Sequence, residues 1–137
     1  MLTTFVRNLV APRTTAYAHC DLPCGVYDPA QARIEAESVK AIMTKYAGSD
    51  DADFKVRAIA IKEERSNLVK EHLWVLWTDY FKPPHFEKYP QLNDLFNSAT
   101  KLAGAGGTKG TVDVAVADEL LAKIDEIAAI FWETKKA

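Results

Sequence analysis

The nine residues His19-Cys20-Asp21-Leu22-Pro23-Cys24-Gly25-Val26-Tyr27 contain both cysteines of the chain, and a short basic leader ending Ala16-Tyr17-Ala18 stands directly before them. A cut after Ala18 would make His19 an N-terminus. One α-amine, one imidazole, the Cys20 amide nitrogen and two thiolates would then fall within six residues, a donor set that can wrap a single metal ion. An α-amine titrates at about 7.7 to 8, so a metal can displace its proton near neutrality. Locked in a peptide bond, the same nitrogen is a poor donor, and cleavage would therefore switch metal binding on. Pro23 removes one backbone N–H and stiffens the reversal that returns Cys24 beside Cys20. Gly25 lets the chain leave the loop without a Cβ clash.

Spacing alone leaves other chemistries open. Cys-x-x-x-Cys also suits a plain disulfide, a redox dithiol or half of a zinc site. Two cysteines are too few for a disulfide scaffold, and their closeness points to chemistry. His72 and His85 invite a zinc set with Cys20 and Cys24, but His72 lies between Glu71 and Leu73 on a predicted helix and His85 among prolines and aromatics. Hydrogen-bonded packing is the better reading of both. Trp74, Trp77 and Trp132 read as core or subunit contacts.

The leader, residues 1–18, has two arginines, four threonines, no acids and an interruption at Pro12, and Arg7 and Asn8 break its apolar stretch. A secretory signal needs a longer unbroken apolar run. The Ala16-x-Ala18 ending nevertheless resembles a signal-peptidase site, and the acid-free, arginine-bearing composition resembles a transit peptide. The favoured reading is a propeptide that hides the His19 amine, giving a leader at 1–18, a domain at 19–137 and a cytoplasmic location.

Removing 18 of 137 residues leaves 119, enough for one domain with an ordinary core. Apolar residues make up 48% and charged residues 26%, a globular composition with no membrane-spanning run. Net charge is −2; without Arg7 and Arg13 the 17 basic residues fall to 15 against 19 acids, a net of −4. That balance carries no footprint for nucleic acid.

The elements that must position the loop are helical. Asp28-Pro29 is a cap and first-position pair, and Val39, Ile42, Met43 and Tyr46 recur at helical spacing, predicting a helix from about Pro29 to Ala47. A second should run from about Asp51 to Tyr80 on a stripe of Phe54, Ala58, Ile61, Leu68, Leu73, Leu76 and Tyr80, stopped by Pro83-Pro84. Residues 85–90 read as a proline-bounded connector pinned by its aromatics. A third helix over Gln91 to Ala103 shows Leu92, Leu95, Phe96, Ala99 and Leu102 on one face. The glycine-rich stretch 104–110 reads as an exposed flexible loop, and it lacks the ending of a phosphate-binding loop. A fourth helix should span Val112 to Thr134 on Val116, Leu120, Ile124, Ile127 and Phe131. Short connections between four helices predict an all-α protein, an antiparallel four-helix bundle carrying an N-terminal metal-binding hook.

The segment 19–29, His-Cys-Asp-Leu-Pro-Cys-Gly-Val-Tyr-Asp-Pro, resembles the metal hook of the nickel-containing superoxide dismutases. Asp79-Tyr80-Phe81-Lys82-Pro83-Pro84-His85-Phe86-Glu87-Lys88-Tyr89-Pro90 and the terminal Ile130-Phe131-Trp132-Glu133-Thr134-Lys135-Lys136-Ala137 are further points of likeness. The resemblance covers the whole trimmed chain and shows no departure within the hook. It implies a homohexamer that converts two superoxide ions to oxygen and hydrogen peroxide by Ni(II)/Ni(III) cycling, with a nickel ion as cofactor. It also implies a peptidase to process the leader. The ligands it implies are the freed amine of His19, the Cys20 amide and the Cys20 and Cys24 thiolates in a square plane. The His19 imidazole would be axial in the oxidised state, and the Leu22–Pro23 bond cis.

Such a donor set suits the task. A dismutase metal must accept an electron from one superoxide and give it to the next, and thiolates with a deprotonated amide stabilise the higher oxidation state of an ion that is otherwise hard to oxidise. Zinc cannot cycle. The resemblance gives Glu35, with Arg65 behind it, the task of holding the His19 ring. Taken without it, Glu35 is a first-turn helix acid and Arg65 a solvated position. Tyr27 and Asp21 would stand near the open axial face, ordering water or gating small anions; alternatively Tyr27 is an aromatic cap over the loop. The rival readings are a zinc- or disulfide-stabilised helical interaction protein and a dithiol oxidoreductase using Cys20 and Cys24.

Overall fold

The structure is a computed structural model that describes residues 24–137. Among the described residues there are four long α-helices and one short one, and no strand: α1 Ala30–Ala47, α2 Ala52–Val75, α3 Pro83–Lys88, α4 Leu92–Leu102 and α5 Val114–Lys136. None of them is long and apolar enough to cross a membrane.

Local chemistry sets the boundaries. The Ala30 N–H donates to Asp28 Oδ1 at 2.8 Å, so Asp28 stops the chain from fraying where α1 leaves the hook. Asp51 caps α2 by accepting from the Asp53 and Phe54 amides at 2.9 and 3.2 Å. Asp113 accepts from Ala115 at 3.0 Å to start α5. Beyond Val75 the ladder of α2 widens into a π turn over Leu76–Tyr80, closed by the Phe81 N–H on the Leu76 carbonyl at 3.0 Å. A π turn puts an extra residue into one helical turn and re-aims the side chains beyond it. Here it sends Tyr80 and Phe81 toward the core's aromatic cluster.

The core is a continuous apolar cluster including Leu73, Leu92, Phe96, Leu120, Ile124, Ile127 and Phe131, all fully buried. A satellite of Val39, Met43 and Ala117 lies between α1 and α5. α1 packs on α2 and α5, and α4 on α2 and α5, which closes the four long helices around this core. Arg33 to Asp125 at 2.9 Å and Lys40 to Asp118 at 2.6 Å tie α1 to α5 on the outside. Exposed pairs of this kind add little stability but favour one register.

Three expectations are corrected. The connector over 85–90 is largely helical: two prolines open α3, and the His85 ring accepts the Lys82 N–H on Nδ1 at 3.0 Å. The buried stripe of α2 is Ala58, Lys62, Ser66, Val69 and Leu73, carried on by Leu76 of the π turn, while Ile61 is exposed and Phe54, Leu68 and Tyr80 are half-buried. The glycine-rich stretch is folded onto that stripe. Gly104, Gly107 and Thr108 are buried, Thr108 N–H donates to the Leu102 carbonyl at 2.7 Å, and Ser66 and Thr108 share a 2.8 Å hydroxyl bond. Lys62 Nζ donates to the carbonyls of Lys109 and Thr111 at 3.0 and 2.6 Å. A Cβ on Gly107 would sit 1.9 Å from the Leu102 oxygen, so glycine is there for close approach rather than for freedom.

Candidate metal centre

Of the hook, the described residues begin at Cys24; His19, Cys20, Asp21 and Pro23, with the Leu22–Pro23 bond, lie outside them. Cys24 is exposed, with its sulfur at the surface. Gly25 takes φ +70°, in the left-handed region that L side chains avoid. That turn brings the Val26 N–H back onto Cys24 Sγ at 3.4 Å. The Cys24 Sγ also lies 3.8 Å from the Val26 carbonyl oxygen, so both backbone polar groups of Val26 fix the direction of the sulfur. Val26 then faces solvent at 72% exposure, and Tyr27 drops onto the bundle.

Tyr27 seats on Tyr80, ring centroids 5.5 Å apart and planes tilted by 57°. Tyr80 in turn rests on Phe131 at 4.4 Å and stacks with His85 at 5.9 Å. The chain beyond Cys24 thus runs over an aromatic floor built by the π turn, α3 and the last turns of α5. The periodicity of α2 assigned Tyr80 to the core stripe and gave no sign that it supports Tyr27. The available signal was its place in the 79–90 segment, where a half-polar aromatic stands just before a double proline.

Glu35 lies in the second turn of α1, not the first, and its side chain is only 16% exposed. Arg65 on α2 reaches both Glu35 oxygens at 3.2 and 3.4 Å, and its other terminal nitrogen lies 3.4 Å from Glu64. The structure therefore brings the two residues together. A half-buried carboxylate fixed by a guanidinium keeps one orientation, which a group meant to hold an imidazole needs.

His85 is occupied by its cap and by its rings, and among the described residues no three His, Cys, Asp or Glu side chains are placed to hold a metal. Cys24 fits a metal as a sulfur donor joined to residues 19–23: it is at the surface, and its turn aims an amide at the sulfur. Thiolate sulfur is a soft donor and amine and amide nitrogens suit a square-planar divalent ion, a combination that fits nickel.

The comparisons with known proteins agree with this chemistry. The sequence pattern of the family "nickel-containing superoxide dismutase" matches residues 14–135. The chain is 60% identical over 130 residues to "Superoxide dismutase [Ni]" of Streptomyces coelicolor and, to the same degree, to that of Streptomyces seoulensis, in each case covering 95% of this chain and 98% of the relative. A native nickel superoxide dismutase structure superposes with a TM-score of 0.83 at 61% identity, over 87% of this chain and 100% of that one. A structure with nickel ligation corresponding to the oxidised state gives the same values. With a match that runs through both the hook and the bundle, the chain belongs to the nickel-containing superoxide dismutase family.

Proposed function

We propose that this chain, cut after Ala18, is a superoxide dismutase that converts two superoxide ions and two protons to oxygen and hydrogen peroxide. The observation that carries the reading is the surface presentation of Cys24 by the Gly25 turn, directly behind His19-Cys20, in a chain matched to the family over residues 14–135. His19 through its amine and imidazole, Cys20 through its amide and thiolate, and Cys24 through its thiolate would hold the nickel. When bound, nickel supplies the one-electron chemistry that takes an electron from one superoxide and returns it to another.

The protein's own groups do the rest. The Val26 N–H, 3.4 Å from Cys24 Sγ, holds the sulfur in place. Glu35, held by Arg65, orients the His19 ring. Asp21 and Tyr27 order the water that delivers protons, and Tyr80 fixes the ring of Tyr27 from below. Pro23 stiffens the reversal between the two thiolates.

Processing is part of the proposal. It is supported by the coverage of the solved chains, which are matched in full by 87% of this one; 87% of 137 residues is 119, the length left after Ala18. The curated relatives, by contrast, match over 95% of it. A peptidase would therefore act on the leader. A homohexamer is supported by apolar side chains left outside the bundle, Trp74 and Trp132 at 43% and 49% exposure and Ile34 and Val56 at 59% and 72%. A cytoplasmic location is supported by the leader's broken apolar stretch.

Intact mass and metal quantification on protein from its native host test the whole reading. A mass beginning at His19 with one nickel per chain and superoxide removal is expected. Zinc without turnover would favour the structural rival, and reversible thiol exchange without metal the dithiol oxidoreductase; either would overturn the proposal.

A further inference from the structure

The Tyr80 hydroxyl lies 2.7 Å from Thr134 Oγ1, and Thr134 Oγ1 lies 2.6 Å from the Phe131 carbonyl oxygen. Distance alone leaves the donor in the first bond open. The second bond settles it: a carbonyl can only accept, so the single Thr134 proton is committed to Phe131. Tyr80 must then donate to Thr134. Its phenolic proton points into the last turns of α5, and its oxygen offers only lone pairs elsewhere. Lys135 Nζ lies 5.0 Å from the centroid of the same ring and 5.4 Å from that of Phe131, a second hold from the same turn.

From this chain of bonds, which rests on the dismutase reading for its functional meaning, we infer that Thr134 is a positioning residue for the metal loop. By accepting the Tyr80 proton it fixes the phenol's direction and keeps the ring under Tyr27, three residues beyond Cys24. The last turn of α5 thus braces the chain at Tyr27 across a gap of more than a hundred residues. Tyr80, its proton already engaged, is a floor for Tyr27 and not a proton source for peroxide.

Two substitutions separate this from a merely structural role. Thr134→Val keeps the shape and removes the hydroxyl; Thr134→Ser keeps the hydroxyl. The first readout needs no metal. In the uncut, metal-free chain, ultraviolet resonance Raman of the tyrosine Fermi doublet, taken as the difference from Tyr80→Phe, reports whether Tyr80 donates. A donor signature is expected in wild type and Thr134→Ser and its loss in Thr134→Val. The second readout is nickel affinity of the cut protein by chelator competition. Thr134→Val should bind about three- to tenfold more weakly, the worth of one neutral hydrogen bond, and Thr134→Ser should bind as wild type does. An acceptor signature for Tyr80 in wild type, equal nickel affinity in the valine variant, or equal losses in both variants would overturn the inference. Failure of the dismutase reading itself would show separately, as wild-type cut protein that takes up no nickel.

Discussion

Replacing Gly25 by alanine tests how much of the metal affinity is stored in one backbone angle. At φ +70° an L residue pays about 1 to 2 kcal/mol relative to glycine. A Cβ built on Gly25 meets no atom within 4 Å, so steric crowding contributes nothing and the penalty is purely conformational. Alanine also narrows the unfolded ensemble of the loop, an opposing effect of about 0.4 to 1 kcal/mol. The net cost should lie near 1 kcal/mol and cannot exceed the full 2. Because the Val26 N–H reaches Cys24 Sγ only through this turn, the cost falls on nickel binding and not on the bundle. Affinity of the cut protein should drop about fivefold, and by no more than about thirtyfold. Gly25→Asn should recover part of it, since asparagine tolerates the left-handed region better than other L residues. The assay is chelator competition followed by thiolate-to-nickel absorption, with far-UV circular dichroism as the control for the helices. Wild-type affinity in Gly25→Ala, or an asparagine variant no better than alanine, would refute the reasoning.

Further substitutions address the other supports. Glu35→Gln, which keeps the shape but discards the charge that Arg65 holds, should leave nickel bound and slow turnover about 10- to 100-fold, read as kcat against metal content. A chain carrying one extra alanine before His19 should lose most of its nickel and activity while its helices stay intact by circular dichroism. Gly107→Ala, with its Cβ 1.9 Å from the Leu102 oxygen, should destabilise the bundle by more than about 3 kcal/mol in thermal unfolding. Lys62→Met should cost about 2 to 4 kcal/mol at neutral pH by orphaning the Lys109 and Thr111 carbonyls. Burial pushes the Lys62 ammonium below its usual 10.5, with Glu63 opposing in part. The folded protein therefore releases that proton more readily than the unfolded chain, and the penalty is present at neutral pH and fades as pH rises toward 10.5. The stability gap between wild type and Lys62→Met should widen over that range, by denaturant titration.

What could be read from the sequence follows from how far each signal travels along the chain. The helices were legible because apolar spacing and turn signals are local: the starts read at about Pro29, Asp51 and Val112 lie within two residues of Ala30, Ala52 and Val114, where the structure begins the helices. The hook was proposed for the same reason, since the donors assigned to it lie within six residues. Long-range polar pairing left no such trace. Lys62 and Ser66 look like surface positions until the 104–111 loop supplies carbonyls and a hydroxyl 42 to 49 residues away, and that same pairing converts a glycine-rich run from a flexible link into a packed one. Glu35 and Arg65 stand 30 residues apart, and only the resemblance joined them before the bundle did. Tyr80 and Thr134, 54 residues apart, belong to separate helical stripes, and no periodicity in either stripe implies the bond between them. The π turn at 76–80 was equally silent, because a single extra residue in one turn barely disturbs a pattern read over eleven or more. Yet that turn puts Tyr80 under Tyr27, so the loop's footing depends on the least regular part of the longest helix. Catalytic donors can be concentrated in one short segment. The rigidity they need has to be gathered from the whole fold.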